Sequence, residues 1–176
     1  MKGMVLIMVF IKAFILLLIF LASLHGGKII AKKYSNRVSE LKEMKNALNV
    51  FLTKIKFTYE SVPETFSEIG NNINGNIGKI FRTASENMKE KAAGEAWEEV
   101  IEKTETSLTD EDKSIIKNLG RMLGKTDLEG QISEIKLVQN FLNTQIEVAE
   151  REKQKNEKLY KTLGGVVGLA VVIILV

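Results

Sequence analysis

The chain has 176 residues, of which 45% are apolar and 27% charged, with a mean hydropathy of +0.01; that is about one domain's worth of sequence. With no cysteine and a single histidine, His25, it excludes a disulfide scaffold, thiolate metal sites and cysteine nucleophiles, and it leaves few routes to a Ser-His catalyst. The net charge of +3 comes from Lys2, Lys12 and Lys28, because cations and acids balance over residues 32–161; an excess placed beside an apolar run argues against nucleic acid as a partner.

The chain opens on a membrane segment, residues 4–30. A helix needs roughly 20 residues to cross ~30 Å of hydrocarbon. Residues 4–24 have that length but carry Lys12 near their centre, where a cation costs about 2.5–3.5 kcal/mol. The span is therefore expected over 13–30, with Lys12 as an outer flank and Lys28 reaching the inner interface. A cleaved secretory signal is the alternative, but Ala22-Ser23-Leu24-His25-Gly26-Gly27 offers no A-x-A-like site. Met8 is an alternative start that would also keep Lys12 out of the hydrocarbon.

The middle, residues 31–158, reads as a cytoplasmic helical domain. Val38, Leu41, Leu48, Leu52, Ile55 and Tyr59 recur at helical spacing. Ser61-Val62-Pro63 stops that helix, and Pro63 suits the first turn of a short successor reaching about Ile69. Residues 70–76 (Gly-Asn-Asn-Ile-Asn-Gly-Asn) are the most loop-like stretch. Helices are expected over 77–90 and 92–106, and Thr109 with Asp110, Glu111 and Asp112 caps another that ends near Leu123 and Gly124. Asp127 caps the last helix, in which Ile132, Ile135, Val138, Leu142, Ile146 and Ala149 share one face. Nothing breaks it before a second membrane segment, 159–176.

The cations set the orientation. Lys28, Lys32, Lys33 and Arg37 follow the first segment, and Arg151, Lys153, Lys155, Lys158 and Lys161 precede or enter the second. By the positive-inside rule the middle faces the cytoplasm. The fold class is all-α: a membrane-anchored helical bundle with two terminal transmembrane helices.

No acid–base pair, nucleophile constellation or metal cluster emerges, so no catalytic or cofactor-binding residue is assigned. Gly124-Lys125-Thr126 looks like the end of a phosphate-binding loop, but Gly120 is one residue too close and the motif needs a preceding strand. The bland reading is a helix end followed by a cap at Asp127. Residues 95–112 carry eight acids against Lys103 alone. They form either a solvated face or a docking surface for a basic partner, with Glu98, Glu99 and Glu102 as its candidates. Trp97, amid these acids, reads as core. Gly164 and Gly168 have the G-x-x-x-G spacing that permits close helix approach.

Leu119-Gly120-Arg121-Met122-Leu123-Gly124, with Asp127 and Gln131, resembles the L/F-G-x-x-L-G-x-x-D-x-x-x-Q signature of the stage III sporulation protein AB family of endospore formers. Residues 155–161 leading into Leu163-Gly164 and Gly168-Leu169 resemble the family's entry to its last membrane helix, and Trp97 and the 31–34 exit also fit. Departures exist: the family's E-I-x-Y is here Lys54-Ile55-Lys56-Phe57, and the N-terminus is about seven residues longer. The resemblance implies membership of an eight-protein, secretion-like channel complex in the mother-cell membrane around the forespore. It is similar to the inner-membrane platform proteins of type II secretion and pili. By that likeness the chain is a non-enzymatic scaffold coupling a stage III sporulation protein AA-like ATPase to membrane parts. Gly120, Gly124, Asp127 and Gln131 then join the acids as docking candidates, and a homo-oligomer stays open. A stand-alone membrane-tethered adaptor without an ATPase is the competing reading.

Overall fold

The computed structural model describes residues 2–58, 60–123 and 127–175, with side chains from residue 11 to 174 except Ala13. No strand occurs among the described residues. The helices are α1 (Lys2–Phe57), α2 (Val62–Asn72), α3 (Gly75–Asn87), α4 (Ala93–Lys103), α5 (Asp110–Asn118) and α6 (Leu128–Leu175), with a 3-10 turn at Leu119–Arg121. Two compact units result: Asn36–Glu150, and a terminal unit made of Met1–Ser35 with Arg151–Val176.

In the 36–150 unit the expected stripes turn inward. Val38, Leu41, Leu48 and Ile55 are buried on α1, with Met44 and Phe51 between them. Leu52 is partly buried against the same core, and Tyr59 lies outside the described residues. On α6, Ile135, Val138, Leu142 and Ala149 are buried, flanked by Ile132 and Ile146. An aromatic cluster fills the centre. The Phe66 ring meets Phe51, Phe81 and Trp97 edge-on at centroid distances of 5.0, 4.9 and 5.3 Å. Such pairs add about 0.5–1.5 kcal/mol beyond area burial. Trp97 has no exposed surface, and its Nε1–H donates to the Ile116 carbonyl at 2.9 Å. It is core, as its surroundings required.

Local chemistry sets the helix starts. Ser61 caps α2 through a capping box with Glu64, with Pro63 in the first turn. Thr109 caps α5 through a box with Asp112, and Asp127 Oδ1 accepts the Gly130 N–H at 2.9 Å in the first turn of α6.

Residues 70–76 correct the expectation of a long loop. α2 continues to Asn72 and α3 begins at Gly75, so only Ile73 and Asn74 connect them. Of the two glycines in that stretch, Gly70 serves helix packing, as does Gly78 just beyond it. A Cβ on Gly78 would sit 1.8 Å from the Ile73 carbonyl oxygen, and one on Gly70 2.7 Å from the Arg82 backbone nitrogen. Gly75 takes φ +76 with open space around it, a left-handed conformation that glycine adopts without penalty. The other bounds also tighten: α3 and α4 are shorter than expected, and α5 gives way at Leu119 to the 3-10 turn.

The terminal unit packs by small residues. A Cβ on Gly27 would lie 2.6 Å from the Tyr160 carbonyl oxygen and 3.2 Å from Gly164 Cα. Gly164 also accepts the Ser23 hydroxyl at 2.7 Å through its carbonyl. Gly168 faces Phe20 and Ser23, and Tyr34 stacks on Tyr160 at 5.9 Å. Large apolar side chains face outward, among them Phe14, Leu17, Leu18 and Leu21 on α1 and Val166, Val167 and Leu169 on α6. Among the described residues one helix, α1, is long and apolar enough to cross a membrane, with an 18-residue window of mean hydropathy 2.1.

Candidate docking surface

Helix α4 buries Ala96, Trp97, Val100 and Ile101 and turns its acids outward. It meets the Leu119–Arg121 turn through two glycines. A Cβ on Gly94 would approach the Gly120 carbonyl oxygen to 2.1 Å, and one on Gly120 would lie 3.1 Å from Glu98 Cγ and 3.2 Å from Trp97 Cδ1. The structure thus brings Gly120 against Glu98, joining the acidic helix to the start of the family-like turn. Gly94 is the position that requires glycine, because its Cβ would strike backbone, while a Cβ on Gly120 would only be tight.

The acids divide into three kinds. Glu99 receives Lys91 and Lys103, and Glu102 receives Lys117 at 2.7 Å. Hydrogen bonds from Lys103 and then Lys91 hold the Glu99 carboxyl down at about 2, and the bond from Lys117 lowers Glu102. These two carboxylates stitch α4 to neighbouring segments. Glu95, Glu98, Glu105 and Asp110 are exposed and make no ion pair among the described residues, so their charge faces solvent.

The third kind is Asp112, which is fully buried. Arg37 Nε donates to its Oδ2 at 2.8 Å and an Arg37 terminal nitrogen to its Oδ1 at 3.0 Å. The same terminal nitrogen donates to Gln145 Oε1 at 3.1 Å, and Gln145 Nε2 donates to Glu111 at 3.0 Å. Burial pushes the Asp112 carboxyl up, but the bonds from Arg37 and Thr109 outweigh it and hold it below its ordinary value. This clasp ties α1, α5 and α6 together. The sequence counts Arg37 as a membrane-flanking cation and Asp112 as one more surface acid; the fold neutralises each with the other. One signal was available: Arg37 stands four residues before Leu41, on the buried side of α1. Nearby, buried Glu40 accepts the Ser107 N–H at 2.6 Å and the Asn76 amide at 2.8 Å.

The rest of the turn is partly in view. Gly124, with Lys125 and Thr126, lies outside the described residues. The segment before it is a 3-10 turn and not the strand that a phosphate loop needs. Asp127, just ahead of α6, is exposed, and Gln131, in its first turn, is partly buried. Gly164 and Gly168 belong to the terminal unit. No group of three or more His, Asp or Glu that could hold a metal occurs among the described residues.

The family model for stage III sporulation protein AB matches residues 12–176. The chain belongs to the stage III sporulation protein AB family. It is 26% identical over 161 residues to stage III sporulation protein AB of Bacillus subtilis (strain 168), covering 89% of this chain and 94% of that protein. A solved structure of stage III sporulation protein AB matches with a TM-score of 0.64 at 22% identity, covering 68% of this chain and 98% of that one. That second likeness bears on the fold. The family is one of sporulation proteins, in accord with the signature around Gly120, Asp127 and Gln131.

Proposed function

We propose that this chain is a non-enzymatic platform of the stage III sporulation channel complex. Both ends cross the mother-cell membrane around the forespore, and the 36–150 unit lies in the cytoplasm, where it engages a stage III sporulation protein AA-like ATPase. The observation that carries this reading is the combination of family membership with the opposite build of the two units. One unit has a closed aromatic core; the other has small residues inside and large apolar residues outside, as lipid-facing helices do. The second span, about 159–176, gains its length from Leu159, Tyr160 and Thr162 ahead of the apolar run, with Lys158 and Lys161 at the interface. Glu95 and Glu98, free of internal ion pairs, and the adjoining Gly120 turn are the face offered to the ATPase.

Topology tests the membrane half of this reading. The chain lacks cysteine, and Asn72 and Ser114 are exposed. Asn72→Cys and Ser114→Cys, introduced separately, are expected to resist a membrane-impermeant thiol reagent in intact cells and to react after lysis. Labelling equal to that of an external control would reverse the orientation. Capture of the full chain from membranes of sporulating cells is expected to bring the ATPase with it, and an ATPase-free eluate that retains other complex members would reject the coupling role.

A further inference from the structure

We infer that the base of the terminal unit is a binding site for anionic phospholipid headgroups, an inference that rests on the membrane reading above. Lys28, Lys32 and Lys33 are exposed on α1, and Lys155 and Lys158 on α6, all within one compact unit. The contact of Gly27 with Gly164 and the Tyr34–Tyr160 stack hold the two cationic stretches along the same length of the helix pair. The surface therefore concentrates positive charge instead of spreading it along two separate helices. Only two carboxylates share this part of the unit: Glu157, bonded to Lys161 at 2.7 Å, and Glu152, which also has an interaction of its own.

Two further features point to a lipid. The cations border apolar side chains directly, since Ile29, Ile30, Leu159 and Leu163 are all exposed beside them. The stacked tyrosines sit at that border, where aromatic rings with a polar edge are favoured. A shallow hollow of about 340 Å³ is lined by Lys153, Gln154, Glu157, Lys158, Lys161 and Thr162. It offers ammonium, amide and hydroxyl donors to a phosphate at the level where a headgroup would lie. Cation clusters just cytoplasmic of a membrane helix attract anionic lipids, with an effect that accumulates per residue. Arg37 takes no part, because its guanidinium is committed to Asp112.

The test uses the full chain in nanodiscs of equal phosphatidylglycerol and phosphatidylcholine, with retained lipids counted by native mass spectrometry. The chain is expected to retain phosphatidylglycerol over phosphatidylcholine by about tenfold, and K32E/K33E/K153E/K158E to lose that preference. Resistance to alkaline extraction from vesicles is scored in parallel for both proteins. A wild-type chain that stays inserted but retains both lipids equally would overturn the site alone. An inserted variant that keeps the preference would overturn it as well. A wild-type chain extracted by alkali would overturn the membrane reading and the site with it.

Discussion

The two units solve packing in opposite ways. In the 36–150 unit Phe51, Phe66, Phe81 and Trp97 are fully buried and the charges, apart from the Arg37–Asp112 clasp and Glu40, face outward. In the terminal unit glycines and a serine lie between the helices while phenylalanine, leucine and valine face out. A hydrophobic core excludes water, so it needs large side chains inside. Where the solvent is itself apolar that drive vanishes, and close backbone approach with a few hydrogen bonds takes its place. The contrast is the one that the proposed membrane reading requires. It also gives the helices α1 and α6 two different jobs along one continuous backbone.

The largest expected effect comes from breaking the buried clasp. Asp112→Ala leaves Arg37 charged without its main partner and removes the α5 capping box, and it should cost about 3–5 kcal/mol. Chemical denaturation followed by Trp97 fluorescence measures it. The clasp also predicts a pH dependence. Because the folded-state carboxyl of Asp112 is held below its ordinary value, its contribution is present above the ordinary aspartate range and is lost as pH falls through the depressed value. Asp112→Asn is expected to be destabilised at neutral pH and to have a flatter acid limb than the wild type. An unchanged acid limb would remove the clasp from the account.

The terminal unit is tested by two adjacent glycines. A Cβ on Gly27 meets backbone, whereas one on Gly26 meets nothing within 4 Å. Gly27→Leu should force the helices apart at a cost of about 1–3 kcal/mol, and Gly26→Leu should leave them in place. The cysteine-free chain permits a direct readout: oxidative cross-linking between Leu24→Cys and Gly165→Cys, whose positions face each other, falls in the first background and persists in the second. Equal cross-linking in both would show that the glycine contact does not hold the pair.

The smallest effect concerns the cap. Asp127→Ala is expected to cost about 0.5–2 kcal/mol through loss of the bond to Gly130. A melting temperature within error of the wild type would show that the start of α6 is held by packing alone.

Much of this was legible in the sequence. The spacing of Val38, Leu41, Leu48 and Ile55 located the core face of α1, because helical period and burial are two readings of one geometry. Pro63, Thr109 and Asp127 marked helix starts, since a first-turn proline and a capping side chain act locally and need no tertiary information, whereas the Ser61 cap came from the structure. What the sequence hid was non-local. Gly70 and Gly75 among asparagines carry the composition of a loop, and only the packing reveals that Gly70 makes room for the backbone of α3. Arg37 and Asp112 are 75 residues apart, so neither predicts the other's burial. For the candidate surface, the acidic run was visible as composition. Its division into Glu99 and Glu102, consumed by lysines, and Glu95 and Glu98, left to solvent, depends on which segments α4 packs beside.

That division decides the most direct test of the proposed role. Reversing Glu95 and Glu98 removes no hydrogen-bonded ion pair, so E95K/E98K should keep the wild-type circular dichroism spectrum, with a slightly lower melting temperature because Glu95 sits in the first turn of α4 and near Lys91. Affinity of the full chain in nanodiscs for the AA-like ATPase is then measured across a range of salt. A salt-sensitive wild-type complex is expected, with about tenfold weaker binding by E95K/E98K. Unchanged affinity in a folded variant would contradict that role and reduce the acidic face of α4 to a solvated surface.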